Sequence, residues 1–291
     1  MKLKVNKRNI SRLKLPKLTA KKLRVSQLKT RKLKLRKLKV KRPQLSQLKT
    51  KTRLKDPFGN LLPLKRILMG VLGVLSYAHF NIFNKMKING TENLKGLPKE
   101  NVLFVANHQT YFADVIAMYH VFCSTKWGFK NSIKLPIYLL SPRAKSYYIA
   151  AEETMKEGGF LPRLFSYAGA VTVKRSWRYK GEDVKRGVDI TAPNKIKKAL
   201  KYGWVITFPQ GTTSADAPVR KGTAHVVKKL NPIVVPVQIK GFREAFDKKG
   251  LRLVNKGTKL SMTFGEPIQF GEDANADDIQ DFIIEKIGSV G

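Results

Sequence analysis

From residue 101 onward, short apolar runs alternate with longer amphipathic stretches. The runs at 101–106, 170–173, 204–208, 233–239 and 260–264 hold few polar side chains and are bounded by polar or turn-forming residues, the pattern of buried strands. Residues 112–122, 160–167, 193–202, 222–230 and 276–287 read as helices. Strands separated by helices predict an α/β fold: a central mixed, largely parallel sheet flanked by helices, with functional residues at strand ends.

Upstream the pattern changes twice. Residues 67–80, ILMGVLGVLSYAHF, are almost wholly apolar and lie between Lys65 and Arg66 on one side and Lys85 and Lys87 on the other. Even extended to Phe83, this run falls short of the ~20 apolar residues that cross a bilayer. It predicts a helical segment inserted at a membrane interface, with an ordinary buried helix as the alternative; no small-residue cleavage site follows, which argues against a signal peptide. Before it, leucine recurs every fifth position from Leu13 to Leu38, and Ser-Gln-Leu-Lys-Thr occurs at 26–30 and again at 46–50. Five residues turn a helix by about 140°, so these leucines spiral around it and form no stripe. Disorder is expected there. The chain therefore divides into 1–56, a low-complexity basic tail; 57–90, a membrane-associating helical segment; and 91–291, the α/β domain that carries the motifs below.

Charge sharpens that division. The net charge is +38, and residues 1–56 hold 23 Lys and Arg against the single acid Asp56, or +22; the other 235 residues carry +16. Clustered cations beside an apolar anchor fit an anionic membrane surface. They also fit nonspecific contact with nucleic acid phosphates, but no aromatic residue precedes Phe58, so base-stacking platforms are missing and no specific nucleic-acid partner is expected. A tandem-repeat expansion, or a start placed too far upstream with Met69 available as a later one, is the other reading of the tail. The lone cysteine, Cys123, excludes an intramolecular disulfide and fits a reducing compartment.

Two motifs carry the chemistry. Residues 107–114 read NHQTYFAD and residues 208–214 read FPQGTTS, each directly after an apolar run. His108 offers a general base, Asp114 a carboxylate to orient it, and the Pro209-Gln210-Gly211 turn offers backbone amides; together they suggest acyl transfer to a hydroxyl. On one continuous helix His108 and Asp114 would be about 240° apart, so His108 must sit in the loop and Asp114 in the helix that follows. Ser214 lacks the Gly-x-Ser-x-Gly setting of a nucleophile. Asn107 is placed to cap the helix. His79, His120 and His225 fall in no motif, and no nucleotide fingerprint or metal-binding pair is present.

With two further blocks, GAVTVKR at 169–175 and IVVPVQI at 233–239, the order of motifs resembles the glycerolipid and lysophospholipid acyltransferases, over roughly residue 62 to the C-terminus. The chain departs from that family at three points: five residues rather than four separate His108 from Asp114, Gln210 replaces a glutamate, and Thr213 replaces an arginine. The resemblance implies a membrane-associated O-acyltransferase at the cytoplasmic face, peripheral or monotopic, acting on 1-acylglycerol-3-phosphate to give phosphatidic acid. His108 and Asp114 are then catalytic, and Lys174, Arg175, Gln210, Gly211, Thr212, Thr213, Arg220 and Lys221 bind substrate. No cofactor is implied; acyl-CoA, acyl carrier protein or acyl phosphate is the co-substrate. Loss of the arginine at 213 leaves open an acceptor without phosphate, such as a lyso-amino-acid lipid, and a basic nucleic-acid-binding protein is the alternative from another class.

Overall fold

The computed structural model describes residues 54–288 apart from positions 158, 177, 180, 181, 185, 186 and 188, so the tail expected at 1–56 lies outside the described residues except for its last three. Among these described residues, seven strands form one sheet: β1 (Lys87–Asn89), β2 (Val102–Ala106), β3 (Ser146–Ala151), β4 (Ala170–Val173), β7 (Trp204–Thr207), β8 (Ile233–Lys240) and β9 (Ser261–Phe264). A separate ribbon pairs β5 (Arg178–Tyr179) with β6 (Glu182–Asp183). The order across the sheet is β1-β9-β8-β2-β7-β3-β4, and every pairing is parallel except β8 with β9. Among the described residues, eight α-helices accompany it: α1 (Leu62–Ala78), α2 (Ala113–Lys126), α3 (Glu152–Glu157), α4 (Phe160–Tyr167), α5 (Ala192–Leu200), α6 (Lys221–Leu230), α7 (Phe242–Ala245) and α8 (Ala276–Ile287). The mixed, largely parallel α/β sheet expected from the alternating pattern is the one observed.

Strand β2 shows why the central runs are apolar throughout. Val102, Phe104 and Ala106 point into a core shared with α2, where Phe104 meets Phe122 at 4.5 Å and Trp204 at 5.2 Å between ring centroids. Leu103 and Val105 point the other way, into a second core with Ile196 of α5, Val227 of α6 and Ile283 of α8. Helices on both faces leave no polar side of the sheet, which is the usual condition of parallel strands.

Strand β1 joins the sheet before residue 91, so the compact fold begins earlier than the expected boundary. Helix α1 likewise starts at Leu62, five residues ahead of the apolar run, and continues as a π-helical turn over His79–Phe83. The result is 22 continuous residues, long and apolar enough to cross a membrane by length and composition. Its two sides differ. Lys65, Met69, Gly73, Ser76 and Phe80 form a buried stripe at helical spacing, whereas Leu64, Ile67, Val71, Val74 and Leu75 are exposed. Gly73 permits the close approach of this helix to the 3-10 turn Pro136–Leu139, since a Cβ there would lie 2.5 Å from Leu139 Cδ2.

Candidate active site

Parallel strands bring their C-terminal ends to one edge of the sheet, and the motifs collect there. NHQTYFAD leaves β2, FPQGTTS leaves β7, and Lys174 and Arg175 leave β4. Between them opens a cavity of about 770 Å³.

The loop of 108–112 folds around a single carboxylate. Asp114 is fully buried, and its Oδ2 accepts hydrogen bonds from the His108 ring Nδ1 at 2.9 Å, the Gln109 N–H at 2.7 Å and the Thr110 N–H at 3.1 Å, while Oδ1 accepts from the Thr110 hydroxyl at 2.9 Å. His108 sits in the loop and Asp114 in the first turn of α2, as the angular argument requires, and the fifth intervening residue does not part them. Asp114 as an acceptor assigns the proton to Nδ1 and leaves Nε2 with its lone pair free. Nε2 meets no hydrogen-bonding protein group among the described residues, and the ring stacks on Phe208 at 3.9 Å and 15°.

The longer loop is buttressed from outside. Residues 247–252 form a turn held by the Asp247 carboxylate, which accepts from the N–H groups of Leu251 at 2.9 Å and Arg252 at 3.1 Å. Its carbonyls at Lys248 and Lys249 accept from the N–H groups of Tyr111 at 3.2 Å and Phe112 at 3.0 Å. At Gly250, φ is +73° and a Cβ would meet Ala113 N and Thr110 Oγ1 at 2.6 Å, so both conformation and closeness demand glycine. Asn107 does not cap α2: its side chain bridges the backbone of Ile239, accepting from N–H at 2.7 Å and donating to C=O at 2.8 Å, which ties the end of β2 to β8.

Gln210 joins the two motifs. Its Oε1 accepts the His108 N–H at 3.1 Å, and its amide donates to Ala217 O at 3.1 Å. This buried side chain positions the His108 loop and needs no charge to do so. In the same turn Gly211 takes φ +66° and donates its N–H to Phe208 O at 3.0 Å, while among the described residues the Thr212 N–H donates to no protein group. Ser214 hydrogen-bonds Thr212 through its hydroxyl at 3.4 Å, with no hydrogen bond to His108.

The expected substrate-binding residues separate into groups. Lys174, Arg175, Arg220, Gly211 and Thr212 line the cavity. Thr213 and Lys221 do not: Thr213 is buried with its carbonyl accepting from Arg243 Nη2 at 3.0 Å, and Lys221 pairs on the surface with Asp277 at 2.7 Å. Arg175 is held by Glu153, with Nε at 2.7 Å and Nη2 at 2.5 Å from Oε1, and its Nη1 donates to Gly211 O at 3.1 Å. Glu153 and the cavity-lining Lys248 were not found from sequence. Glu153 follows a strand with no recognisable pattern, and Lys248 lies in a basic turn outside every motif.

Compared with known proteins, residues 85–240 match the family profile described as Acyltransferase, more than half of the chain and all four blocks. Curated proteins give no match. A solved structure, the 1-acyl-sn-glycerophosphate (LPA) acyltransferase PlsC from Thermotoga maritima, is similar at 21% identity and a TM-score of 0.48, over 77% of this chain and 76% of that one. With three of its blocks lining one cavity and the family profile spanning all four, this chain belongs to the acyltransferase family.

Proposed function

We propose that the protein moves a fatty acyl group from a thioester or acyl-phosphate donor to the hydroxyl of a lysophospholipid, with 1-acylglycerol-3-phosphate as the acceptor and phosphatidic acid as the product. The observation that carries this reading is the His108–Asp114 pair, with Nδ1 fixed at 2.9 Å and Nε2 unpaired at a cavity rimmed by Lys174, Arg220 and Lys248. In the reaction, Nε2 takes the proton of the acceptor hydroxyl as its oxygen attacks the acyl carbonyl carbon. The carbonyl oxygen gains charge in the tetrahedral species, and the Thr212 N–H is the turn's candidate donor to it. Collapse breaks the bond to the thiolate or phosphate, which leaves with the proton from His108. No acyl-enzyme forms, and Ser214 takes no covalent part.

Two anionic substrates need several cations at the cavity. Arg175 is neutralised by Glu153, so its role is to hold the FPQGTTS turn through Gly211 O as much as to meet the acceptor. Lys174, Arg220 and Lys248 supply the remaining positive rim. The exposed side of α1 lies in the membrane interface on the cytoplasmic side, with the buried stripe holding the catalytic domain against it. The test is acyl transfer from acyl-CoA and from acyl carrier protein to lysophosphatidic acid and to a phosphate-free lyso-lipid. Robust turnover of lysophosphatidic acid, lost by 10²-fold or more in His108→Ala, is the expected result. Turnover of only the phosphate-free acceptor sinks the phosphate assignment.

A further inference from the structure

We propose that residues 134–143, between α2 and β3, are a second lipid-insertion element that seats the protein on an anionic bilayer beside α1. The inference rests on the interfacial reading of α1 given above. Leu135, Ile137 and Leu140 are 62%, 45% and 82% exposed, and with Val74 and Tyr77 of α1 they line an apolar groove of about 510 Å³. This display is fixed by polar contacts, those of His120 buried. Tyr77 donates its hydroxyl to Lys134 O, and Ser76 Oγ lies 2.9 Å from His120 Nε2, whose Nδ1 lies 2.9 Å from the Tyr138 hydroxyl. Those contacts join α1, α2 and the 3-10 turn of Pro136–Leu139, so the leucines are presented as one surface with the outward face of the helix.

Charge and aromatic placement decide for a bilayer over a protein groove. At one end of the apolar stretch stand Lys134 and Tyr77; at the other, the Arg143 guanidinium lies 4.3 Å over the Trp127 ring, and the indole N–H donates to Ser141 O at 3.0 Å. Aromatic rings with one polar end, beside cations, are the side chains that settle at the level of lipid headgroups. The surrounding sequence has one sign: residues 126–145 contain five Lys and Arg and no acid, and no acid occurs between Asp56 and Glu92. Anionic headgroups are the complement of such a surface.

The experiment uses the full chain and vesicles of mixed phosphatidylglycerol and phosphatidylcholine. Co-sedimentation is measured at about 0.5 M salt, where the attraction of solvent-exposed charges is largely screened and apolar insertion persists. The triple variant Leu135→Ser/Ile137→Ser/Leu140→Ser is expected to partition at least tenfold more weakly than the native protein. Its turnover of a short-chain, water-soluble lysophosphatidic acid should stay within about twofold. A second variant, Leu140→Trp, is expected to gain fluorescence that brominated lipids quench. Equal partitioning of the triple variant, or no quenching at residue 140, overturns the inference. Failure of the native protein to partition at high salt overturns it together with the interfacial reading of α1. Acceptor turnover in detergent is scored separately, so an error in the proposed reaction is told apart from an error about the membrane.

Discussion

At Asp114, four hydrogen-bond donors converge on one buried carboxylate, and only one of them belongs to His108. Asp114→Asn keeps the shape but removes the charge: with the new amide in the place of Oδ2 it opposes the His108, Gln109 and Thr110 N–H groups, and in the place of Oδ1 it leaves only a neutral acceptor to balance the imidazolium formed in turnover. The expected outcome is a loss of 10²-fold or more in kcat with a fall in thermal stability; an unchanged rate would show that orientation of His108 does not limit turnover. Thr110→Val is the control, since it removes one hydrogen bond donated to Asp114 without touching the imidazole. Arg175→Ala acts differently. It strips the partner from Glu153 and releases Gly211 O, so destabilisation of about 2 kcal/mol is expected from the lost charged hydrogen bonds, alongside a higher KM for the acceptor. A rise confined to the donor KM would reassign it. Much of this site was legible in advance because His108, Asp114, Gln210 and Gly211 lie in contiguous motifs whose spacing constrains geometry. Glu153 and Lys248 were not, because pairing and pocket placement depend on which strands lie side by side.

Elements were legible in proportion to how fully they are buried. Strands β2, β7 and β8 lie within the sheet and covered on both faces, so their runs are apolar and stood out; β3 is also internal, yet its sequence SYYIAA opens with a serine and leads through half-buried alanines into acidic α3, which breaks the pattern. The apolar run near residue 70 marked a helix but not its start, because Lys65 belongs to its buried stripe: Nζ donates to Ser146 O at 2.8 Å and lies 3.7 Å over the Tyr147 ring. The joint between α1 and α2 has its own acid sensitivity. Burial holds His120 far below its ordinary value, at about 3, so it stays neutral when folded and takes up a proton near 6.5 when unfolded. A depressed folded value means the unfolded state binds more protons between these limits, so stability is full above about pH 6.5 and is lost as pH falls towards 3. His120→Gln is expected to flatten that acid limb in a pH series of thermal melts, while preserving a polar link between Ser76 and Tyr138. An acid limb as steep as the native one would place the responsible proton elsewhere.

For the whole molecule, the sheet sets the site at one edge, and the charge distribution sets how the molecule meets surfaces. Removing residues 1–53 takes away 22 of the 58 Lys and Arg and no acid, leaving +16 on the remainder. The cut is placed before Asp56 because that carboxylate organises the entry to α1, accepting from the N–H groups of Phe58 at 2.9 Å and Asn60 at 2.8 Å. Every residue lining the catalytic cavity lies downstream of it, so the truncated chain should turn over soluble substrates at the native rate. Its adsorption to anionic vesicles at about 10 mM salt should weaken strongly, since each lost surface cation contributes about 1 kcal/mol at a negative interface when screening is low. Near 0.5 M salt the two forms should converge, because the insertion proposed for α1 is apolar and would survive screening. Nonspecific nucleic-acid binding belongs to the same test: it should fall with the tail and leave acyl transfer intact. If truncation abolishes turnover of a soluble substrate while thermal melts show the fold unchanged, the basic segment is part of the catalytic machinery and the separation of charge from chemistry fails.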